Sequence, residues 1–287
     1  MNNSKTPTSS LAKAPCIIPS HAQDRFVAKA KSMHLNPDSV WIGGYVDYEW
    51  HHLRPILEGF GIEVSGKRIL EFGSNVGASA IVFRQLGARV NAVDVSANYV
   101  ELARYNALRY GLSSIEFQHV ADTRKLPFDS ASIDLVSCNS VLEYVDPGHL
   151  QAVQREIDRV LRPGGLILVT GTSSRLWPRE VHSQAWLVNY VPFALERMLP
   201  LKQQLTRGVW PWSIRRGFGP SYRNLDAEDG GRAFLKSRAA MSPPKGGPAH
   251  RFIAWIARLT NSGPGMWMNN ISCILQKPSN ERPKYPG

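Results

Sequence analysis

The chain has 287 residues, 43% hydrophobic and 20% charged, enough for one full α/β core with material left for a cap. Its three cysteines, Cys16, Cys138 and Cys273, form no CxxC pair and have no nearby histidine at metal-ligand spacing, which argues against a disulfide framework or a metal site and for a reducing cytoplasm. The net charge is +11, and residues 175–287 hold 17 basic against 6 acidic side chains, so the whole excess lies there. Such a field either favours an anionic partner (phosphate, nucleic acid, an acidic small molecule, an anionic lipid surface) or is a solvated face kept for solubility.

Residues 1–20 are rich in Ser, Thr and Pro and read as a disordered tail without the apolar stretch of a signal peptide. No apolar run approaches the roughly 20 residues that span a bilayer. Ser20 and Gln23 form a capping box that opens a helix through Phe26, Ala30 and Met33, stopped by Asn36-Pro37-Asp38. An aromatic cluster follows (Trp41, Tyr45, Tyr48, Trp50), and then a helix from Glu49 to Phe60 whose upstream reach Pro55 limits. Residues 21–64 thus read as an N-terminal helical cap.

Over 65–174 short apolar strands alternate with amphipathic helices. The strands are RILEF, ARVNAVD, IEFQHV, IDLVSCN and GLILVTG; the helices are ASAIVFRQLG, ANYVELARYNALRYG and HLQAVQREIDRVLRPGG. This alternation predicts an α/β fold, a mostly parallel sheet flanked by helices. Gly87, Gly111 and Gly164-Gly165 stand where the helices should end. Residues 175–267 break the rhythm and carry six of the eight tryptophans, as a substrate-side insertion or lid. ISCILQ, within 268–278, then returns as an edge strand before a tail over 279–287.

The chemical signal is ILEFGSNVGASA, a strand running through a glycine turn into a helix. Gly73 permits the turn and Gly77 a close approach, while the helix start offers N–H groups to a polar ligand. Asp94 ends the next strand, 21 residues after Gly73, where a carboxylate can accept from ribose hydroxyls. NAD enzymes share that arrangement, so the turn and the acid leave the cofactor open.

The following strands add Ala121-Asp122, Leu126-Pro127-Phe128, Ile133-Asp134-Leu135-Val136 and Leu161-Arg162-Pro163-Gly164-Gly165. With the Glu71-x-Gly73-x-x-x-Gly77 turn and Asp94, the set resembles the class I methyltransferases, in particular the methyltransferase type 11 group, over about a third of the chain. The resemblance implies a Rossmann-like core and S-adenosyl-L-methionine as cofactor. Glu71, Gly73, Ser74, Asn75 and Gly77 would surround its methionine part. Asp94 would hold the ribose, Val95 would pack on the adenine, and Ala121-Asp122 would reach the adenine amino group. Asn139 and Ser140 would line the cofactor after the fourth strand. Asn75 stands where the family usually has a glycine.

Methyl transfer requires alignment of the nucleophile and exclusion of water, helped by a general base when the acceptor carries a proton. Glu143 and Tyr144 after strand four, and His182 after strand five, are the candidates, each also readable as structural. Trp41, Tyr45, Tyr48, Trp177, Trp186 and Tyr190 are candidate acceptor walls. Trp210-Pro211-Trp212 with Arg207, Arg215 and Arg216, and the helix with Phe252, Ile253, Ile256 and Leu259, are candidate contacts to an anionic membrane surface. The first reading is a methyltransferase for a small-molecule, lipid- or sugar-linked acceptor. An RNA methyltransferase using the basic C-terminal region and a non-catalytic cofactor-binding module are the alternatives. Acceptor atom and oligomeric state are left open.

Overall fold

The structure is a computed structural model that describes residues 12–192, 207–260 and 262–279. The tails expected over 1–11 and from 280, and the 193–206 part of the insertion, lie outside the described residues.

The elements run α1 (His21–Ser32), α2 (Tyr45–Gly59), β1 (Arg68–Phe72), α3 (Ala78–Gln85), β2 (Arg89–Asp94), α4 (Ala97–Arg109), β3 (Glu116–His119), β4 (Ile133–Asn139), α5 (Leu150–Val160) and β5 (Leu161–Ser173). They continue with α6 (Pro211–Phe218), β6 (Arg223–Asn224), α7 (Leu225–Glu228), α8 (Arg232–Ala239), α9 (Pro248–Leu259) and β7 (Asn270–Gln276). The seven strands form one sheet in the order β3-β2-β1-β4-β5-β7-β6, flanked by helices.

Two compact units divide this chain. The first comprises 1–123, 133–136 and 232–250. Its strands β1, β2 and β3 pair in parallel, with Phe72 opposite Val93 and Asp94 opposite His119. β1 buries Ile69, Leu70, Glu71 and Phe72 in succession, as a strand covered on both faces must. The second unit comprises 124–132, 137–231 and 251–287. There β5 pairs antiparallel with β7, and β6 pairs antiparallel with the far side of β7 at Leu275 and Gln276. β7 therefore is not the outermost strand that its sequence suggested, because the two-residue β6 covers its C-terminal end.

Four local expectations change. The capping box does not form: Ser20 makes no side-chain cap, and Gln23 Oε1 accepts instead from Arg109 Nη1 at 3.2 Å. The cause is the fully buried Arg109, which also donates to Asn106 Oδ1 and the Gly43 carbonyl, both at 2.7 Å, and lies 3.9 Å over the Phe26 ring. A buried guanidinium must fill its donors, and Gln23 is recruited to it. α2 starts at Tyr45 and runs through Pro55. Proline removes the N–H that would reach His51, and the freed His51 carbonyl accepts from Ser242 N–H at 3.4 Å. Gly164 does not cap α5, which ends at Val160; it has φ +74° within β5, its N–H turned to the Lys277 carbonyl. Gly87 and Gly111 do follow helix ends, at φ +89° and +71°. Residues 12–19 form no helix or strand but are held, Gln85 donating to the Lys13 carbonyl and Ile18 N–H to the Arg109 carbonyl.

Candidate functional site

The cofactor loop belongs to the first unit and is built by three left-handed residues, Gly73 (φ +78°), Asn75 (φ +46°) and Gly77 (φ +77°). Gly73 and Ser74 N–H both donate to the Val93 carbonyl at 2.9 Å, which ties the turn to the end of β2. Asn106 Nδ2 holds the Val76 carbonyl from α4 at 2.6 Å. Asn75 supplies the backbone that a glycine would supply, since asparagine is among the few side chains at home in that region. A Cβ on Gly77 would stand 3.0 Å from the Phe117 ring and 3.1 Å from Ala103, so packing as well as φ requires glycine there.

Asp94 is buried at the end of β2. Its Oδ2 accepts from Asn75 N–H at 2.8 Å and its Oδ1 from Ser96 N–H at 2.9 Å. Ser96 itself caps α4, accepting from Tyr99 N–H, so capping does not account for Asp94. A carboxylate offers about four acceptor positions and two are used, which leaves room for two ribose hydroxyls. Val95 is 60% exposed beside it, an apolar face available to an adenine ring, and Ala121 and Asp122 are exposed after β3. Glu71 is buried on β1 directly before the turn. These donor and acceptor types fit S-adenosyl-L-methionine.

Asn139 and Ser140 end β4 in the second unit. Ser140 has φ +54°, with its N–H on the Thr170 carbonyl at 2.8 Å and its Oγ on the Gly171 carbonyl at 3.1 Å. Three residues on, the Glu143 side chain is wholly enclosed. Its Oε1 takes Ser173 N–H at 3.2 Å, Ser140 Oγ at 3.3 Å and His182 Nε2 at 2.9 Å. Tyr144 is exposed, its ring 5.7 Å from the His182 ring. The second unit thus brings together His182, Glu143 and Tyr144.

Burial alone would hold the His182 imidazolium down. The Glu143 carboxylate, with Glu180 behind it, outweighs burial and raises the imidazole above the ordinary histidine range. With Nε2–H directed at Glu143, Nδ1 carries the lone pair that can take a proton. Glu180 is a positioning residue that the sequence reading did not single out. It is completely buried, and Oε2 accepts from His182 N–H at 2.9 Å and Ser183 Oγ at 2.8 Å, fixing the turn that presents the ring. Burial works against its ionisation, but the Ser183 and His182 N–H groups more than offset it and lower its proton affinity. Its signal was available in the spacing Glu180-x-His182, a carboxylate two residues ahead of the N–H it accepts.

Of the aromatic candidates, Trp41, Tyr45 and Tyr48 form one cluster in the first unit, with ring centroids 5.1 to 5.8 Å apart. In the second unit Trp177 donates to the Trp267 carbonyl, Tyr190 to the Leu176 carbonyl, and Trp186 is exposed. Trp210 and Trp212 stack at 4.6 Å, but Arg207 is buried and drops out of the surface set. On α9, Ala254 and Ala257 face inward, while Phe252, Trp255 and Leu259 are 60%, 54% and 68% exposed. Among the described residues no helix is long and apolar enough to cross a membrane.

Comparison with known proteins finds similarity over part of the chain. Residues 70–169 match the model of a methyltransferase domain. The chain is 29% identical over 150 residues to a ubiquinone biosynthesis O-methyltransferase of Idiomarina loihiensis, covering 50% of this chain and 60% of that one. It is 36% identical over 107 residues to a demethylmenaquinone methyltransferase of Clavibacter sepedonicus, covering 37% and 41%. A solved S-adenosylmethionine-dependent methyltransferase from Aquifex aeolicus is 18% identical over 59% of this chain and 82% of that one, with TM-score 0.43. The chain therefore spans three-fifths or less of the length of these curated relatives. The matched span begins two residues after β1 opens and contains the glycine turn, Asp94, Asp122 and Glu143. Over residues 70–169, then, this chain is similar to a methyltransferase domain, and these curated relatives are named as methyltransferases.

Proposed function

We propose that the chain transfers the methyl group of S-adenosyl-L-methionine, by in-line displacement, to a hydroxyl of a small-molecule, lipid- or sugar-linked acceptor. The observation that carries this reading is the contact of His182 with the enclosed Glu143, 2.9 Å, a base held in one tautomer. Relatives named for ubiquinone and demethylmenaquinone support a small, lipid-linked acceptor over a polymer. The cofactor supplies an electrophilic methyl on a sulfonium. Asp94 and the turn from Gly73 to Gly77 would hold it, and His182 Nδ1 would take the proton that the acceptor hydroxyl gives up on methylation. Glu143 stabilises the imidazolium formed, and Tyr144 borders the ring. Phe252, Trp255 and Leu259 on α9, with exposed Arg251 and Arg258, give the chain a peripheral contact to an anionic lipid surface.

Purified protein and methyl-labelled cofactor are incubated with crude extract, which is then split into organic-soluble, small-molecule, RNA and protein fractions. Label in the first two that His182→Ala abolishes supports the proposal. Label in RNA replaces it with the nucleic-acid reading. Tight cofactor binding with no label in any fraction favours the non-catalytic module.

A further inference from the structure

In the first unit, α8 packs against α2, and the loop after α8 folds back onto the same helix. Ser242 N–H reaches the His51 carbonyl, and Lys245 N–H reaches the Arg238 carbonyl at 2.9 Å. Three chain segments thereby gather basic side chains. Tyr48 and His52, one turn apart, stack at 3.8 Å, and Lys245 Nζ lies 5.8 Å from the Tyr48 ring. Arg238 lies 5.0 Å over Phe234, whose ring neighbours that of His250 at 6.3 Å. Tyr48 also belongs to the Trp41–Tyr45 cluster, so the basic group adjoins the candidate acceptor wall.

The electrostatics of this group are repulsive. Burial lowers the proton affinity of Lys245, and Arg238 adds to it, with Glu49 acting the other way. His250 is lowered by burial, then by Arg238 and Lys245. His52 is lowered by burial, partly offset by the Tyr48 carbonyl, and further lowered by Lys245, Arg238 and His51. A fold that holds like charges together gains most from an added anion. A separate observation points the same way. His52 Nδ1 contacts the Tyr48 carbonyl at 2.6 Å, whereas Nε2 is buried with no hydrogen-bond partner among the described residues. With Nδ1–H on the Tyr48 carbonyl, Nε2 is the lone-pair nitrogen and calls for a donor from outside the chain, which the P–O–H of a singly protonated phosphate supplies.

We propose that Arg238, Lys245, His52 and His250 bind a phosphate group carried by the methyl acceptor. Arginine's planar fork and lysine's point charge together match a tetrahedral hydrogen phosphate better than a single carboxylate, and its P–O–H can donate to His52 Nε2. The phosphate belongs either to a soluble phosphomonoester or to a lipid headgroup. This assignment rests on the methyl-transfer reading only for the word acceptor; the anion site itself does not depend on it.

The test titrates the full chain with inorganic phosphate, and separately with S-adenosyl-L-methionine, by calorimetry. Wild type is expected to bind phosphate saturably, and Lys245→Gln to weaken it about tenfold or more with cofactor affinity unchanged. Lys245 is partly exposed, so this variant is expected to fold. Arg238→Lys, which keeps the charge but loses the fork, is expected to fall between. Equal phosphate affinity in wild type and Lys245→Gln, or no saturable binding, overturns the site. Loss of cofactor binding by the wild type would instead strike the methyl-transfer reading. Glucose 6-phosphate and vesicles containing phosphatidic acid then separate the two sources: binding of either, lost in Lys245→Gln, supports the site.

Discussion

Replacing Asp94 by alanine removes the acceptors of two backbone N–H groups, those of Asn75 and Ser96, together with the two positions left for ribose hydroxyls. Each hydrogen bond to a charged acceptor contributes about 1.5–3 kcal/mol net, so losing both hydroxyl contacts costs about 3–6 kcal/mol of cofactor binding. At 1.4 kcal/mol per decade this is a weakening of about 10²–10⁴-fold. The fold loses less. Asn75 is exposed and water replaces much of its lost partner, so about 1–3 kcal/mol of stability is expected to go. Calorimetric titration with S-adenosyl-L-methionine reads the first quantity, and thermal unfolding by circular dichroism reads the second. Asp94→Asn keeps the shape and one carbonyl oxygen, and its affinity should fall between. A folded Asp94→Ala protein binding within about threefold of wild type would refute the ribose assignment and the turn geometry built on it.

His182→Ala should lower kcat by about 10²–10⁴-fold while leaving cofactor affinity unchanged in the same titration. Because Glu143 raises the His182 imidazole, the base becomes neutral only above the ordinary histidine range, so the acidic limb of the kcat/KM profile should lie there. Glu143→Gln leaves burial as the main influence and should move that limb to lower pH, with a reduced plateau. In stability the sign is opposite: a raised folded value means the pair stabilises at acidic pH and the contribution disappears as pH rises through it. The melting-temperature gap between wild type and His182→Gln should therefore shrink toward alkaline pH. Gly77→Ala, forced to φ +77° against Phe117 and Ala103, should lose about 1–3 kcal/mol in urea unfolding. Serine at Phe252, Trp255 and Leu259 together should abolish sedimentation with phosphatidylglycerol vesicles, and wild-type sedimentation should weaken as salt rises; equal sedimentation of both proteins would remove α9 as the contact.

Six of the seven strands were legible because each contains a short apolar run punctuated by glycine or a polar turn, and β1 and β4 coincide residue for residue with RILEF and IDLVSCN; β6, the dipeptide Arg223–Asn224, carries no such run. Helix boundaries were less so. The start of α2 was hidden because a proline inside a helix is tolerable only if a distant segment takes up the carbonyl it frees, and nothing in the local sequence announces Ser242. Gln23 likewise looks like a capping residue until a buried arginine far along the chain claims it. The cofactor loop was readable because its chemistry is contiguous, and even the departure at Asn75 keeps the backbone conformation. Glu143 and His182 were individually visible, but their contact and the role of Glu180 depend on how the turn after β5 is folded. The basic group around Lys245 was visible only as surplus charge, since His52 and His250 are joined to Arg238 by tertiary packing alone.

Residues 232–250 return to the first unit from far down the chain, and Phe234 and Ser237 on α8 are buried there. On the ribosome, then, α2 emerges early and waits. Its outer face, and the His51 carbonyl freed by Pro55, stay uncovered until α8 and Ser242 have been made. A nascent chain released before that point would display an apolar helix surface to chaperones, and a fragment cut at the apparent end of the α/β core would inherit the same exposure. The boundaries at which this protein can be divided follow its packing rather than its order of synthesis.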